Sequence, residues 1–532
     1  MANQPFKRFG VMLDMSRNSV MTIPALKEFS TELAKMGYNM LMLYTEDTYE
    51  IPEEPYFGHF RGRYTQAEIR EVVAHCKTLG MEVIPCIQTL AHVEALFKWK
   101  RFQPLCDSED ILLVDNEETY ELIRKMFKSV KACYETRQVH IGMDEAITLG
   151  LGKYLQEHGF QNRFEILSRH LHRVCDIARE EGLIPNIWSD MFFRLANNNV
   201  YAQTKPRVDL EQIGHIPEEL NLTYWDYYST LKRRYRAMIR AHRKMGKNPW
   251  FACGIWTWKG WAPDNHHSIS TSLAGLQVAA EEGVENVMVT LWGDFGGECS
   301  RWAALPGLYT AAKFVHGEKS RKKIAEDFEK EYGISMRRFM EIDMKTKTKK
   351  PNNPERYLLF QDPFLGMMDS ALFGDENEFY RKSAAKLSRN AKHERFGLLF
   401  GTQTSLARTL SYKAQLGAKT RELYQKGDKE AMRRLLKDYT LTIRNLRIFM
   451  DKANELWLSE NKPQGLELVQ LRLGGLLQRI IFCKQRLEDW VEKDARIPEL
   501  EEEALDYGGG GTEFKPAHLE TYHIDGYKTP AV

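Results

Sequence analysis

Two adjacent carboxylates, Asp144 and Glu145, sit in the stretch His140-Ile141-Gly142-Met143-Asp144-Glu145-Ala146. Acidic pairs are common on protein surfaces, where an exposed turn is the plain explanation. Here the pair follows Gln138-Val139-His140-Ile141-Gly142, which reads as a short buried strand ending at a glycine that frees the backbone. Two carboxyl groups held together at a pocket floor repel, and one of them keeps its proton near neutral pH. The chemistry that fits is acid catalysis.

The elements that must position this pair repeat along the chain. Apolar, β-rich runs recur near Phe9 to Asp14, Asn39 to Tyr44, Glu82 to Gln88, Gln138 to Met143, Leu183 to Trp188, Leu220 to Trp225, Trp250 to Trp256 and Asn286 to Trp292. Amphipathic segments lie between them: Leu26, Phe29, Leu33 and Met36 step at helical spacing up to Gly37. Thr65-Gln66-Ala67-Glu68 is a capping-box pattern opening the next helix, whose buried stripe is Ile69, Val72, Cys76 and Leu79. Eight strands alternating with helices imply parallel pairing through right-handed crossovers, and so an α/β fold, a (β/α)8 barrel, with a doubly wound open sheet as the alternative. No GxGxxG or GxxxxGK[ST] element follows any of these strands, which weakens dinucleotide and P-loop readings.

In a parallel barrel, side chains at the carboxyl ends of the strands converge on one mouth. Arg17 follows the first strand, Glu46 and Asp47 the second, His92 the third, and Asp144 and Glu145 the fourth. Trp188, Asp190, Trp225, Asp226, Tyr227, Trp256, Trp258, Trp292 and Asp294 follow the last four. A lone Trp is more often core than subsite, yet here Trp recurs at strand ends. Flat aromatic faces pack against the C–H faces of sugar rings while Arg and carboxylates grip hydroxyls, so the set describes a carbohydrate pocket.

After Gly317 the pattern is helical without strands, and Lys345 to Pro354 reads as an exposed connection. Met432, Leu435, Leu436, Tyr439, Ile443, Leu446, Met450, Ala453 and Trp457 step by threes and fours along one long helix. The stripe from Leu466 to Trp490 can cover that face, and a second copy in a homodimer another part of it, core packing being the more frequent use of such stripes. The expected organisation is a catalytic barrel over 1–335, an all-helical C-terminal domain over 336–500 and a flexible tail over 501–532.

Composition narrows the function classes. At 532 residues with 43% hydrophobic and 28% charged, the chain is ordinary globular protein, and no apolar run is long enough to span a bilayer. Met1 to Arg8 lacks the apolar core of a secretory signal, so the expected compartment is the cytoplasm. Eight scattered cysteines without a CxxC pair indicate neither a zinc cluster nor a disulfide framework. A net charge of +2 gives no general attraction to nucleic acid, and the basic Lys232 to Lys247 segment reads as the solvated face of a helix.

The order of these motifs over roughly residues 6 to 320 resembles the family 20 glycoside hydrolases, the β-N-acetylhexosaminidases, in their intracellular branch without an N-terminal accessory domain. HIGMDEA is similar to that family's His-x-Gly-Gly-Asp-Glu signature, with Met143 in place of the second Gly. LDMSRN with Arg17, the LAH segment with His92, and TLWGD with Trp292 and Asp294 support the match, although many members have Trp-Gly-Glu at the last. The resemblance implies removal of terminal β-linked N-acetylglucosamine or N-acetylgalactosamine with retention, the substrate's 2-acetamido oxygen acting as nucleophile. It implies Glu145 as acid and base, which needs a carboxyl pKa raised toward neutrality by burial and neighbouring negative charge. It further implies Asp144 as clamp on the acetamide N–H, and His92, bridged to Glu46 or Asp47, as relay. Arg17 and Asp294 would hold sugar hydroxyls within a site that includes His140. Trp188, Trp225, Trp256 and Trp292 would wall the acetamide pocket, with Tyr227 standing for the family's acetamide-holding Tyr. The partner is then a carbohydrate with a terminal N-acetylhexosamine, and no metal or other cofactor is required. Two other classes stay open: a non-catalytic glycan-binding barrel, and an unrelated barrel lyase or isomerase. The intact Asp144-Glu145 pair argues against the first. The second would more often show a lysine base or metal-binding carboxylates from separate strands.

Overall fold

The computed structural model describes residues 4–258, 260–344, 354–367 and 369–503. Eight strands form a closed parallel barrel: β1 Arg8–Asp14, β2 Met40–Tyr44, β3 Glu82–Cys86, β4 Gln138–His140, β5 Ile184–Trp188, β6 Asn221–Trp225, β7 Trp250–Gly254 and β8 Asn286–Leu291. Each pairs with its neighbours in sequence, and β8 closes on β1. This is the expected (β/α)8 barrel, followed by helices. The strands are legible as apolar runs because a parallel strand under helices is buried on both faces, as all five residues of β2 are. A short hairpin, Cys106–Ser108 with Ile111–Leu112, was not anticipated; it is too brief to carry a periodicity.

The register levels the strand ends. Asp14 lies opposite Tyr44, Tyr44 opposite Cys86, Cys86 opposite His140 and His140 opposite Asn186. Residues one to four positions beyond these therefore share one rim. The crossover helices keep the register by local signals. Thr22 caps helix Ile23–Met36, which stops at Gly37, and Thr65 and Glu68 form the expected capping box on Gln66–Thr78. The basic helix Lys232–Lys244 is not simply solvated: Arg236, Arg240 and Arg243 reach Glu282 at 3.2, 2.9 and 3.1 Å.

The chain divides into two compact units, one of Met1–Ile255, His267–Trp292 and Gly307–Ile324, the other of Trp256–His266, Gly293–Pro306 and Ala325–Val532. Inside the second, helices Gly397–Lys413, Lys429–Glu460 and Leu466–Lys493 carry the stripe read from sequence, with Leu435, Tyr439, Leu446 and Trp457 buried. Its two inserted segments are held by polar contacts within the unit. In the first, Gln403 donates to the Trp261 carbonyl at 2.8 Å; in the second, the Ser300 hydroxyl donates to Glu460 at 2.6 Å. The expected connection at 345–353 and most of the expected tail, 504–532, lie outside the described residues. All eight cysteines are free thiols, seven of them buried. Among the described residues, no helix is long and apolar enough to cross a membrane.

Candidate active site

The turn after β4 carries the acidic pair in unusual backbone. Gly142, Met143 and Glu145 all have left-handed φ angles, +72°, +69° and +52°. At Gly142 this geometry excludes any side chain, since a Cβ would meet Gln88 Oε1 at 1.9 Å and the Ile87 carbonyl at 2.9 Å. Gln88 uses that proximity: its Oε1 accepts from the Met143 N–H at 3.0 Å, and its Nε2 donates to Asp144 Oδ1 at 2.7 Å.

The two carboxylates have opposite surroundings. Asp144 is buried and faces His92 Nε2 at 3.4 Å. Burial alone would raise its pKa, but the His92 charge beside it and the hydrogen bond from Gln88 outweigh burial and hold it below the ordinary value. Burial would make His92 less basic, yet the Asp144 carboxylate pushes it up to about 10. The pair is an imidazolium with a carboxylate. Glu145, by contrast, leaves 44% of its side chain exposed, with Oε1 2.8 Å from Arg194 Nη2 and Oε2 4.0 Å from His92. The expected burial of Glu145 is not what the structure has: the acids that burial raises to about 7 are its contact Asp190 and, after β2, Glu46.

Asp190 is fully buried at the start of the short helix Asp190–Arg194. Its Oδ2 accepts the Glu145 backbone N–H at 3.0 Å and Arg194 Nε at 2.8 Å. After burial, the Asp144 charge is the next cause raising its pKa, and Arg194 opposes both.

Glu46 and Asp47, inseparable in sequence, separate here. Glu46 Oε1 takes Arg17 at 3.1 Å and the Tyr44 hydroxyl at 2.9 Å, and Tyr44 accepts from Gln88 at 2.9 Å. A continuous chain therefore runs Arg17, Glu46, Tyr44, Gln88, Asp144. Asp47 turns to Arg61, which donates to its two oxygens at 3.2 and 3.3 Å. The expected bridge from His92 to Glu46 or Asp47 is replaced by the direct pair with Asp144, because the chain through Tyr44 and Gln88 occupies Glu46.

His140 does not reach the pocket surface. It is fully buried against Trp188, ring centroids 4.3 Å apart, with Nδ1 accepting from the Gly142 N–H and burial pushing its pKa down to about 3. It supports the wall from behind and is neutral. The wall is Trp188, Trp292 5.9 Å from it, and Tyr44, edge-on to Trp292 at 4.8 Å. Trp225 and Tyr227 form a second stack, 5.4 Å apart and 17° from parallel, with the Arg194 guanidinium 6.0 Å from the Trp225 ring. Gly254 on β7 admits Tyr227: a Cβ there would stand 2.9 Å from its ring. Trp256 and Asp294 belong to the second compact unit, where Trp256 packs on Trp258 at 5.1 Å.

Four members of this cluster escaped the sequence reading as site residues. Asp190 was noted only as a strand-end acid, and Arg194 has the i,i+4 spacing from it that a helix would place on one face. Tyr44 and Gln88 close otherwise apolar strands, a weak signal that in retrospect marks the rim.

Residues 6–213 match the model of the glycosyl hydrolase family 20 catalytic domain, and residues 335–517 match that of the glycoside hydrolase 20C C-terminal domain. Hexosaminidase D of Bos taurus is 25% identical over 299 residues, covering 50% of this chain and 79% of that protein. Hexosaminidase D of Homo sapiens is 25% identical over 311 residues, covering 54% of this chain and 60% of its own length. A GH20 exo β-N-acetylglucosaminidase from Vibrio harveyi, solved with N-acetylglucosamine, aligns with a TM-score of 0.48 at 15% identity over 62% of this chain and 57% of that one. With a catalytic-domain match over the first five barrel strands and a family-specific match over the C-terminal helices, the chain belongs to glycoside hydrolase family 20.

Proposed function

We propose that the protein is a retaining exo-β-N-acetylhexosaminidase, releasing terminal β-linked N-acetylglucosamine or N-acetylgalactosamine by substrate-assisted catalysis. The observation that carries this reading is the divided setting of the acidic pair: Asp144 buried and anionic against His92, Glu145 beside it and open to solvent. A carboxylate held toward its charged form by His92 and Gln88 suits a clamp on the acetamide N–H. An accessible one suits a group that must exchange protons with substrate and water.

In the first step the acetamide oxygen attacks the anomeric carbon while the bond to the leaving oxygen breaks. Glu145 gives its proton to that oxygen, and Asp144 faces the positive charge that develops on the oxazolinium ring. In the second step water attacks the same carbon, Glu145 takes its proton, and the ring opens with overall retention. Arg17, fixed by Glu46, is placed to donate two N–H groups to sugar hydroxyls, and Trp188, Trp225, Tyr227 and Trp292 give apolar faces for the ring and the acetamide methyl.

The test is turnover of aryl β-N-acetylglucosaminide and β-N-acetylgalactosaminide by the wild type and by Glu145→Gln. The variant should lose about 100- to 10,000-fold in kcat. A wild type that turns over neither sugar sinks the hydrolase reading. A thiazoline mimic of the oxazoline should inhibit tightly, and indifference to it would require an enzyme nucleophile instead.

A further inference from the structure

Aromatic rings gather outside the pocket walls on two loops at the carboxyl end of the barrel. Tyr56, His59 and Phe60 lie between β2 and helix Gln66–Thr78, and Trp99 lies in the segment after β3. Ring centroids are 5.3 Å apart for Tyr56 and Trp99, 5.4 Å for His59 and Trp99, and 3.9 Å for His59 and Phe60. Yet Phe60 is 74% exposed and Tyr56 49% exposed. Phe60 also has φ +63°, a left-handed backbone that a bulky L-residue adopts only at a cost. A residue strained in its backbone and left in water contributes little to the fold, which directs attention to what its ring can bind.

The patch is rigid. Buried Phe57 roots its first loop against Tyr49, 5.0 Å away. Arg101, just beyond Trp99, donates to both oxygens of buried Glu54 at 3.2 and 2.9 Å, and Lys125 adds a third contact at 2.6 Å, so the two loops are cross-tied. Both loops also join the rim of the candidate active site. Arg61, next to Phe60, holds Asp47, and it also reaches Asn18 Oδ1 at 2.8 Å and the Ser16 carbonyl, the two residues on either side of Arg17. The other loop begins at His92, and the charges of Glu94 and Lys98 act on Glu46 and Asp47 respectively.

We infer that this aromatic shelf binds the sugar units beyond the terminal residue, so that the favoured substrate is an oligosaccharide rather than a simple glycoside. The inference rests on the hydrolase reading above. Flat rings held in advance at the rim pack against pyranose C–H faces with little ordering cost, and they select for a continuing glycan without a charge or a fixed hydrogen-bond pattern.

The experiment measures kcat/KM for the methyl β-N-acetylhexosaminide and for di-, tri- and tetrasaccharides with the same terminal residue. Wild type, Phe60→Ala, Trp99→Ala and the conservative Phe60→Tyr are compared. Wild-type kcat/KM should rise with length. Each alanine variant should lose about two- to tenfold on the tetrasaccharide, through KM, with the methyl glycoside unchanged and Phe60→Tyr near wild type. A wild type indifferent to length, or equal losses on the methyl glycoside and the tetrasaccharide, overturns the shelf. A parallel calorimetric titration of tetrasaccharide into Glu145→Gln, with and without Phe60→Ala, reads binding without turnover. There the alanine should weaken affinity by the same factor, and equal affinities overturn the inference. If no wild-type turnover occurs on any of these sugars, the hydrolase reading fails, and the titration still decides whether the shelf binds sugar.

Discussion

Arg194 Nη2 stands 2.8 Å from Glu145 Oε1, and the same guanidinium reaches Asp190 Oδ2 through Nε at 2.8 Å. One guanidinium thus ties the exposed acid after β4 to the buried acid that opens helix Asp190–Arg194, whose Oδ2 also accepts the Glu145 backbone N–H.

Replacing Arg194 with Gln should lower kcat on an aryl N-acetylhexosaminide by about tenfold, because the guanidinium holds the Glu145 and Asp190 carboxyl groups in one arrangement. Arg194→Lys should restore much of the lost rate. A kcat equal to that of wild type in Arg194→Gln would reduce Arg194 to an idle ion pair.

His92 supports Asp144 in a pH-dependent way. Its folded-state pKa of about 10 lies above the ordinary value of 6.5, so its stabilisation is complete below about 6.5 and is lost as pH rises through 10. His92→Gln, which strands the Asp144 charge, should cost about 3 kcal/mol in urea unfolding at pH 6. The gap from wild type should close toward pH 10, and a constant gap would refute the ion pair.

Asp190 has the same sign in a lower pH window. Burial, then the Asp144 charge, raises its folded-state pKa to about 7 from 3.8, against the pull of Arg194. Its proton therefore favours the folded state at low pH, and that contribution is lost between about pH 4 and 7. The melting temperature of Asp190→Asn relative to wild type should improve by roughly 5 °C from pH 4.5 to pH 8. A relative melting temperature that falls over that interval would contradict the assignment.

At Gly254 an added methyl group would stand 2.7 Å from Thr290 Oγ1 and 2.9 Å from Tyr227 Cδ1. Gly254→Ala must displace the ring stacked on Trp225. If Tyr227 borders the acetamide, KM for an aryl N-acetylglucosaminide and the inhibition constant of a thiazoline should rise together, by about tenfold. A KM that rises while the thiazoline constant stays put would place Tyr227 elsewhere in substrate binding.

The barrel was legible because its strands are buried on both faces and so appear as uninterrupted apolar runs, such as Met40 to Tyr44. The acidic pair was legible because level strand ends make position along each strand a guide to position on the rim. What sequence could not resolve depends on partners distant along the chain. Glu46 and Asp47 differ only in that one meets Arg17 and the other Arg61. Gln88 and Tyr44 are neutral side chains that no charge pattern marks, yet they carry the hydrogen-bond chain to Asp144. Glu145 was expected to be buried with its neighbour; the left-handed turn at its own Cα sends the two side chains into different surroundings.

Met143, where the family signature has a second glycine, takes a left-handed backbone with its side chain fully buried. A glycine would form the same bend without strain and without a root. The methionine instead threads the turn that carries the acidic pair into the hydrophobic interior, so the turn has no independent freedom to loosen. Heat that softens the interior should disarm the carboxylates in the same cooperative event, and the enzyme would have no warm, folded, inactive form.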